Sequence, residues 1–125
     1  MMTRREMAVY NKHHGCNCAQ SVLMAFEDKM DIPAEKLKAL GSGFSAGMGN
    51  MNATCGALIG AVMAAGMMNE SGVPTTVLSK QMSEAFSESC GAMRCRDLKG
   101  IDTGRLLCSC DDCIRHAVEM LENVG

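Results

Sequence analysis

The chain has 125 residues, a formal net charge of −2 and eight cysteines. This length suits one domain with a moderate core, so we expect residues 1–125 to form a single domain. The near-balanced charge excludes a broad electrostatic attraction to nucleic acid or to an anionic membrane. Three Phe, one Tyr and no Trp also leave few platforms for base stacking. We therefore expect neither nucleic acid nor a membrane as a partner.

Helical spacing of apolar residues predicts an all-α fold, a compact bundle of about five to six helices. Helices are expected, in chain order, at 3–14, 18–30, 34–40 and 55–68, from Thr75 and Thr76 onward, and from Ser109 or Cys110 onward. A short turn is expected at 95–99, ended by Gly100. No strand pattern, internal repeat or interdomain linker stands out.

Two predicted helices carry clear start signals, because Asn17 and Thr54 are residue types that favour the N-cap position. The helix after Thr54 is apolar on nearly all faces, which predicts burial at the centre of the bundle. Its longest apolar run, from Ala57 to Met68, is short for a membrane span. A glycine-rich loop at 41–52 precedes this helix.

The cysteine content is high but lies below that of small secreted disulfide scaffolds. The N-terminal stretch MMTRREMAVYNKHHG also lacks the apolar segment of a signal peptide. We therefore expect a cytoplasmic protein in a reducing environment. Clustered cysteines in that environment favour metal binding or redox catalysis over structural disulfides.

Four cysteines stand at predicted helix starts: Cys18, Cys55, Cys95 and Cys110. A helix start offers unpaired N–H groups and the positive end of the helix dipole, and both favour a thiolate over a thiol. Arginines on both sides of Cys95 are expected to add to this effect. If the helix starts converge, four sulfurs share one site. The alternative is a purely structural role, in which these are ordinary buried cysteines that behave as small apolar residues.

The neighbours of these cysteines form a recurring pattern along the chain. Its segments are Gly15-x-Asn17-Cys18-Ala19-Gln20, Gly43-Phe44-x-x-Gly47-Met48-Gly49, Cys55-Gly56-Ala57-x-x-Gly60, Cys95-Arg96-Asp97-Leu98-x-Gly100, and Cys110 ahead of an amphipathic helix. In these segments the chain resembles the C-GCAxxG-C-C family, common in anaerobic bacteria and archaea and classed as redox-active. The resemblance spans roughly residues 10 to 124.

By this resemblance, the family set of site residues is Cys18, Cys55, Cys95 and Cys110. The remaining cysteines are additions to the pattern: Cys16, Cys90, Cys108 and Cys113. An iron–sulfur cluster needs four protein ligands, which are usually all cysteines. The favoured hypothesis is therefore a small electron-transfer or redox-sensing protein. It would hold a cluster of unspecified type through the family set and exchange electrons with a redox partner protein whose identity the sequence does not give.

Three alternatives stay open. The first is a thiol–disulfide oxidoreductase, in which Cys110 and Cys113, or Cys55 and Cys18, form the redox pair. The second is a structural zinc site, although zinc sites usually show two close cysteine pairs that the family set lacks. The third is a structural helical module that binds a partner or forms a homodimer through its apolar central helix. Whether the protein is an enzyme stays open among these alternatives.

Overall fold

The computed structural model describes residues 2–124, which form an all-α fold with seven helices. The fold class predicted from the sequence is confirmed. The helices are α1 (Arg4–Lys12), α2 (Cys18–Ala25), α3 (Ala34–Gly41), α4 (Gly56–Met68), α5 (Thr75–Cys90), α6 (Cys95–Lys99) and α7 (Cys110–Val124). Within 2–124, the only β-type pairing is an isolated antiparallel bridge between Thr54 and Arg94. The predicted turn at 95–99 is a full helical turn, which raises the helix count to seven.

The predicted helix at 18–30 is shorter in the structure, because α2 ends at Ala25. Phe26 leaves the helical conformation and packs into the core, where it is 2% exposed. The polar residues Glu27–Lys29 then form a 3-10 turn in solvent. The helix thus ends at the point where the sequence passes from apolar to charged residues.

Helix α4 lies at the centre of the bundle and packs against α2, α5 and α7. Its buried residues are mostly small: Gly56, Ala57, Leu58, Gly60, Ala61, Ala64 and Ala65. Small side chains let neighbouring helices approach closely. The predicted central position of this helix is confirmed. Within the described residues, no helix has the length and apolar character needed to cross a lipid bilayer.

The glycine-rich loop before α4 has an unusual backbone. After a 3-10 turn at Ser42–Phe44, five residues adopt positive φ angles: Ala46, Gly47, Met48, Gly49 and Met51. Three of these five carry side chains, for which left-handed backbone is energetically costly. Such strain persists only where surrounding contacts hold it. This loop, called the left-handed loop below, lines one cavity together with residues at the starts of α2, α4 and α6.

Candidate functional site

The four predicted site cysteines come together at one cavity of about 570 Å³. Cys18, Cys95 and Cys110 are the first residues of α2, α6 and α7, and Cys55 immediately precedes α4. All four line the cavity wall. The convergence of helix starts that the sequence suggested is therefore present in the fold.

The start of α2 is fixed by an N-terminal cap that also contacts α3. Asn17 and Gln20 form a reciprocal capping box, in which each side chain bonds the backbone of the other residue. Beyond the cap, the Asn17 side-chain amide donates to the carbonyl oxygen of Gly41 at 3.0 Å. The Gln20 side-chain amide donates to the carbonyl oxygen of Lys38 at 2.7 Å. These bonds satisfy otherwise unpaired groups at two helix ends and hold Cys18 in position.

Two glycines of α4 allow the start of α2 to lie against it. A β-carbon added to Gly60 would stand 2.6 Å from the carbonyl oxygen of Ala19. One added to Gly56 would stand 3.0 Å from the carbonyl oxygen of Phe44 and 3.3 Å from the backbone nitrogen of Ala19. Only glycine therefore permits this separation, and the close approach brings Cys18 next to the start of α4. The glycines in Cys55-Gly56-Ala57-x-x-Gly60 thus serve helix packing at the site.

Backbone hydrogen bonds join the segments that carry Cys55 and Cys95. The N–H of Cys55 donates to the carbonyl oxygen of Met93 at 2.7 Å, and the N–H of Cys95 donates to that of Ala53 at 2.9 Å. These two bonds flank the bridge between Thr54 and Arg94. We call this pairing the backbone clamp. It fixes two cysteines from distant parts of the chain without using their side chains.

The thiols of Cys18 and Cys110 form a hydrogen-bonded pair with opposite pKa shifts. The hydrogen bond from Cys18 lowers the pKa of Cys110 to about 5, and the positive charges of Lys99 and Lys12 act in the same direction. The same hydrogen bond, followed by burial, raises the pKa of Cys18 well above the ordinary thiol range. In the metal-free protein, the pair therefore favours the thiolate at Cys110 and the thiol at Cys18.

The other two family cysteines do not favour the thiolate, which corrects the expectation that all four helix starts would do so. The pKa of Cys55 is raised by its hydrogen bond with Cys113 and by burial. The pKa of Cys95 is raised by burial and by the charge of neighbouring Cys55. Thiols gathered in a partly buried site disfavour one another's ionisation, and desolvation outweighs the helix dipole.

The arginines beside Cys95 do not supply the positive charge expected of them. Arg94 pairs with Asp97 at 3.0 Å, and Arg96 pairs with Asp102 at 2.9 Å. Because both guanidinium groups are neutralised by carboxylates, neither contributes to the thiolate environment. This part of the sequence-based expectation is wrong.

Lys99 supplies positive charge inside the site and was not among the predicted site residues. Its Nζ donates to the carbonyl oxygen of Cys108 at 3.1 Å and lies 3.9 Å from the Sγ of Cys113. Burial acts to lower the pKa of Lys99, but the charges of Cys113 and Cys110 raise it overall, so the ammonium group is retained. A signal existed in the sequence, since Lys99 follows Cys95 at the i,i+4 spacing of one helix face.

Three of the additional cysteines form a separate buried group, which we call the cysteine trio. The sulfur atoms of Cys90, Cys108 and Cys113 all lie within 4.8 Å of one another. The pKa of Cys113 is lowered by its hydrogen bond with Cys55. Its hydrogen bond with Cys90 and its burial act in the opposite direction and raise the pKa of Cys113 overall. The fourth additional cysteine, Cys16, lines the main cavity.

The sulfur contacts join cysteines in combinations other than the redox pairs suggested from the sequence. Cys110 hydrogen-bonds to Cys18, whereas Cys113 hydrogen-bonds to Cys55 and to the other members of the trio. The pairs suggested from the sequence, Cys110 with Cys113 and Cys55 with Cys18, stay predictions.

With this geometry established, comparison with known proteins gives one match. A family model described as "Putative redox-active protein (C_GCAxxG_C_C)" matches residues 16–124. The chain belongs to this family. No curated protein and no solved structure matches it. Family membership agrees with the redox class expected from the cysteines, and the cysteine groups of this C-GCAxxG-C-C protein offer soft sulfur ligands suited to metal ions.

Proposed function

We propose that this protein is a small electron-transfer or redox-sensing protein that holds an iron–sulfur cluster through Cys18, Cys55, Cys95 and Cys110. The observation that carries the proposal is that cysteines from four separate segments line one cavity. Four cysteine ligands are the usual complement for such a cluster. The proposed setting is a reducing cytoplasm, with a second redox protein as electron donor or acceptor.

The spacing of the sulfurs favours a cluster over a single zinc ion. A tetrahedral zinc–sulfur bond of about 2.3 Å sets sulfur–sulfur separations of roughly 3.8 Å. Within residues 2–124, the only group of three or more potential ligand atoms within 4.8 Å of one another is the cysteine trio, which excludes the family set. The irons of a cluster are distributed over several positions, so its ligands stand further apart.

The residues around the cavity suit a negatively charged cofactor. Lys12 and Lys99 line the wall and bring positive charge to the thiolates. Gly47 lies on the same wall, where the absence of a side chain keeps its backbone close to Cys95. An iron–sulfur cluster supplies one-electron transfer, and nearby charge and burial set its reduction potential. The role of the protein residues is therefore to ligate, to balance charge and to limit contact with water.

The test is iron and acid-labile sulfide analysis of anaerobically purified protein, together with its visible spectrum. We expect iron and sulfide in similar amounts, and their loss in Cys95→Ala. The matched control is Cys108→Ala, which removes a buried cysteine outside the cavity and should leave both contents unchanged. Protein without iron and sulfide, or a cluster that survives in Cys95→Ala and is lost in Cys108→Ala, contradicts the proposal.

A second candidate, thiol–disulfide exchange, is favoured by the thiolate of Cys110 beside the thiol of Cys18. In this reaction the Cys110 thiolate attacks a disulfide of a partner, and one partner sulfur leaves as a thiolate. The Cys18 sulfur then gives up its proton and attacks the mixed disulfide. It forms a Cys18–Cys110 disulfide and releases the second partner thiol. Two electrons have then passed from the protein to the partner disulfide.

This candidate is tested on metal-free protein equilibrated in glutathione buffers of stepped composition. A reversible two-electron couple that disappears in Cys110→Ser and persists in Cys113→Ala supports exchange through Cys18 and Cys110. A couple that persists in Cys110→Ser contradicts it.

A further inference from the structure

We propose that the cysteine trio, Cys90, Cys108 and Cys113, is a second metal site that binds one monovalent soft cation of the Cu(I) class through three sulfurs. The three sulfur atoms already lie within 4.8 Å of one another and are buried. Thiolates are the ligands that select soft cations such as Cu(I). This site lies outside the family set and goes beyond the proposed cluster.

The three cysteines are held by contacts that do not involve their sulfurs. Cys90 ends α5, and the chain turns there because Gly91 adopts a left-handed conformation with φ of 94°. The N–H of Cys108 donates to the carbonyl oxygen of Leu98 at 3.3 Å. The N–H of Cys113 donates to that of Ser109 at 2.9 Å. Because the backbone at each ligand is anchored, little reorganisation is needed to bring the sulfurs onto one ion.

The coordination number distinguishes Cu(I) from zinc at this position. Structural zinc is almost always four-coordinate, whereas the trio provides three sulfurs, and among residues 2–124 no fourth Cys, His, Asp or Glu ligand atom belongs to the group. The trio is also largely closed to solvent, since Cys113 is 0% and Cys90 is 4% exposed. Water is thus poorly placed to complete a tetrahedral shell. A cation that accepts three soft donors fits this environment better.

Lys99 provides a positive counter-charge beside the proposed site. Binding forms three sulfur–metal bonds and releases up to three thiol protons to solvent, and the metal remains in the +1 state. The resulting negative charge lies near the ammonium group of Lys99, 3.9 Å from the Sγ of Cys113. The contact between Cys113 and Cys55 joins the trio to the wall of the main cavity.

The experiment is an anaerobic titration of the reduced, full-length protein with Cu(I) in the presence of the competing chelator bicinchoninate. Copper retained per chain is measured. Cys90→Ala and Cys108→Ala should each retain one copper fewer than the wild type. Cys16→Ala, which removes a cysteine outside the trio, should match the wild type. Circular dichroism checks folding, and Cys108→Ala keeps the test decisive if Cys90→Ala does not fold.

Further variants separate this site from the main cavity. The double variant Cys18→Ala/Cys110→Ala should still retain the trio-bound copper, because it leaves all three ligands in place. Equal retention by the wild type, Cys90→Ala and Cys108→Ala would overturn the proposal. So would preferential binding of Zn(II) that is lost both in Cys55→Ala and in Cys108→Ala, since this would show a four-sulfur site that includes the trio. Iron and sulfide contents are measured separately, so failure of this site is distinguishable from failure of the proposed cluster.

Discussion

Gly47 lies directly against Cys95: a β-carbon on the glycine would stand 2.6 Å from the Cβ of the cysteine and 3.5 Å from its Sγ. Gly47 also has φ of 58°, in the left-handed region. A small residue in the left-handed loop therefore determines how closely the backbone covers one of the four sulfurs of the main cavity. Both its conformation and its lack of a side chain are required at this position.

We expect Gly47→Ala to lower the free energy of unfolding by more than the roughly 1–3 kcal/mol that left-handed backbone costs a residue with a side chain. The added methyl group must also displace Cys95. Gly49→Ala should show the backbone cost alone, because φ is 85° and nothing lies within 4 Å of the new atom. Gly43→Ala meets neither obstacle and should stay within about 0.5 kcal/mol of the wild type. Urea unfolding of the three variants gives the order, and equal stability of Gly47→Ala and Gly43→Ala contradicts it.

The contact between Gly60 and Ala19 predicts a sharp contrast between two glycines of α4. Gly60→Ala should destabilise the protein by about 1–3 kcal/mol, because the new methyl group overlaps the backbone of α2. Gly66→Ala, on an exposed part of the same helix, should raise stability by up to about 1 kcal/mol through helix propensity. Thermal unfolding measures both, and a stabilising Gly60→Ala would show that the helices are not in close contact.

The lowered pKa of Cys110 predicts unusual alkylation behaviour in reduced, metal-free protein. Iodoacetamide attacks the thiolate, so Cys110 should be the first cysteine modified at about pH 6. Its rate should change little down to this pH and fall only as the pH approaches about 5. Peptide mass spectrometry at stepped pH values follows each cysteine. In Cys18→Ala the midpoint should move upward, because the hydrogen bond to the thiolate is lost.

The lowered pKa of Cys110 also determines the direction in which the stability of the folded protein changes with pH. The pKa of Cys110 is lower in the folded state than the ordinary thiol value of about 8.5. The stabilisation by this thiolate is therefore fully present above that ordinary value and is lost as the pH falls through about 5. A midpoint of alkylation near the ordinary thiol value would contradict both expectations.

Lys99 should support the Cys110 thiolate by its charge. Lys99→Met should slow alkylation of Cys110 at about pH 6 by roughly three- to tenfold, because removal of a nearby cation raises a thiol pKa. Lys80→Met removes an exposed lysine of α5 and serves as the matched control. The rate for Lys80→Met should equal that of the wild type. Equal rates in the Lys99→Met and Lys80→Met variants would show that Lys99 does not act on Cys110.

The helix starts and buried helices of the site could be predicted from the sequence, because each depends on residues that are neighbours in the chain. Asn17 marks the start of α2 by its capping chemistry, and the apolar run after Cys55 marks a buried helix. Once four such helix starts are recognised, a shared sulfur site is a natural hypothesis. The helical periodicity of residues 114–121 likewise predicts the buried face of α7.

Relationships between distant segments could not be predicted in the same way. Nothing in the sequence pairs Cys18 with Cys110, because their contact depends on how α2 and α7 pack. The charges of Arg94 and Arg96 suggested a role at Cys95, but their partners Asp97 and Asp102 neutralise them in the fold. The trio also escaped prediction, since the three cysteines lie at the end of α5, before α7 and within α7.

The backbone clamp uses only main-chain atoms of Ala53, Cys55, Met93 and Cys95. The side chains of Thr54 and Arg94, at the centre of the clamp, take no part in those bonds. The exposed Arg94 side chain can therefore be replaced while the bonds that hold Cys55 and Cys95 stay in place. The charge of the surface around Arg94 is thus separable from the placement of Cys55 and Cys95, which depends on the backbone alone.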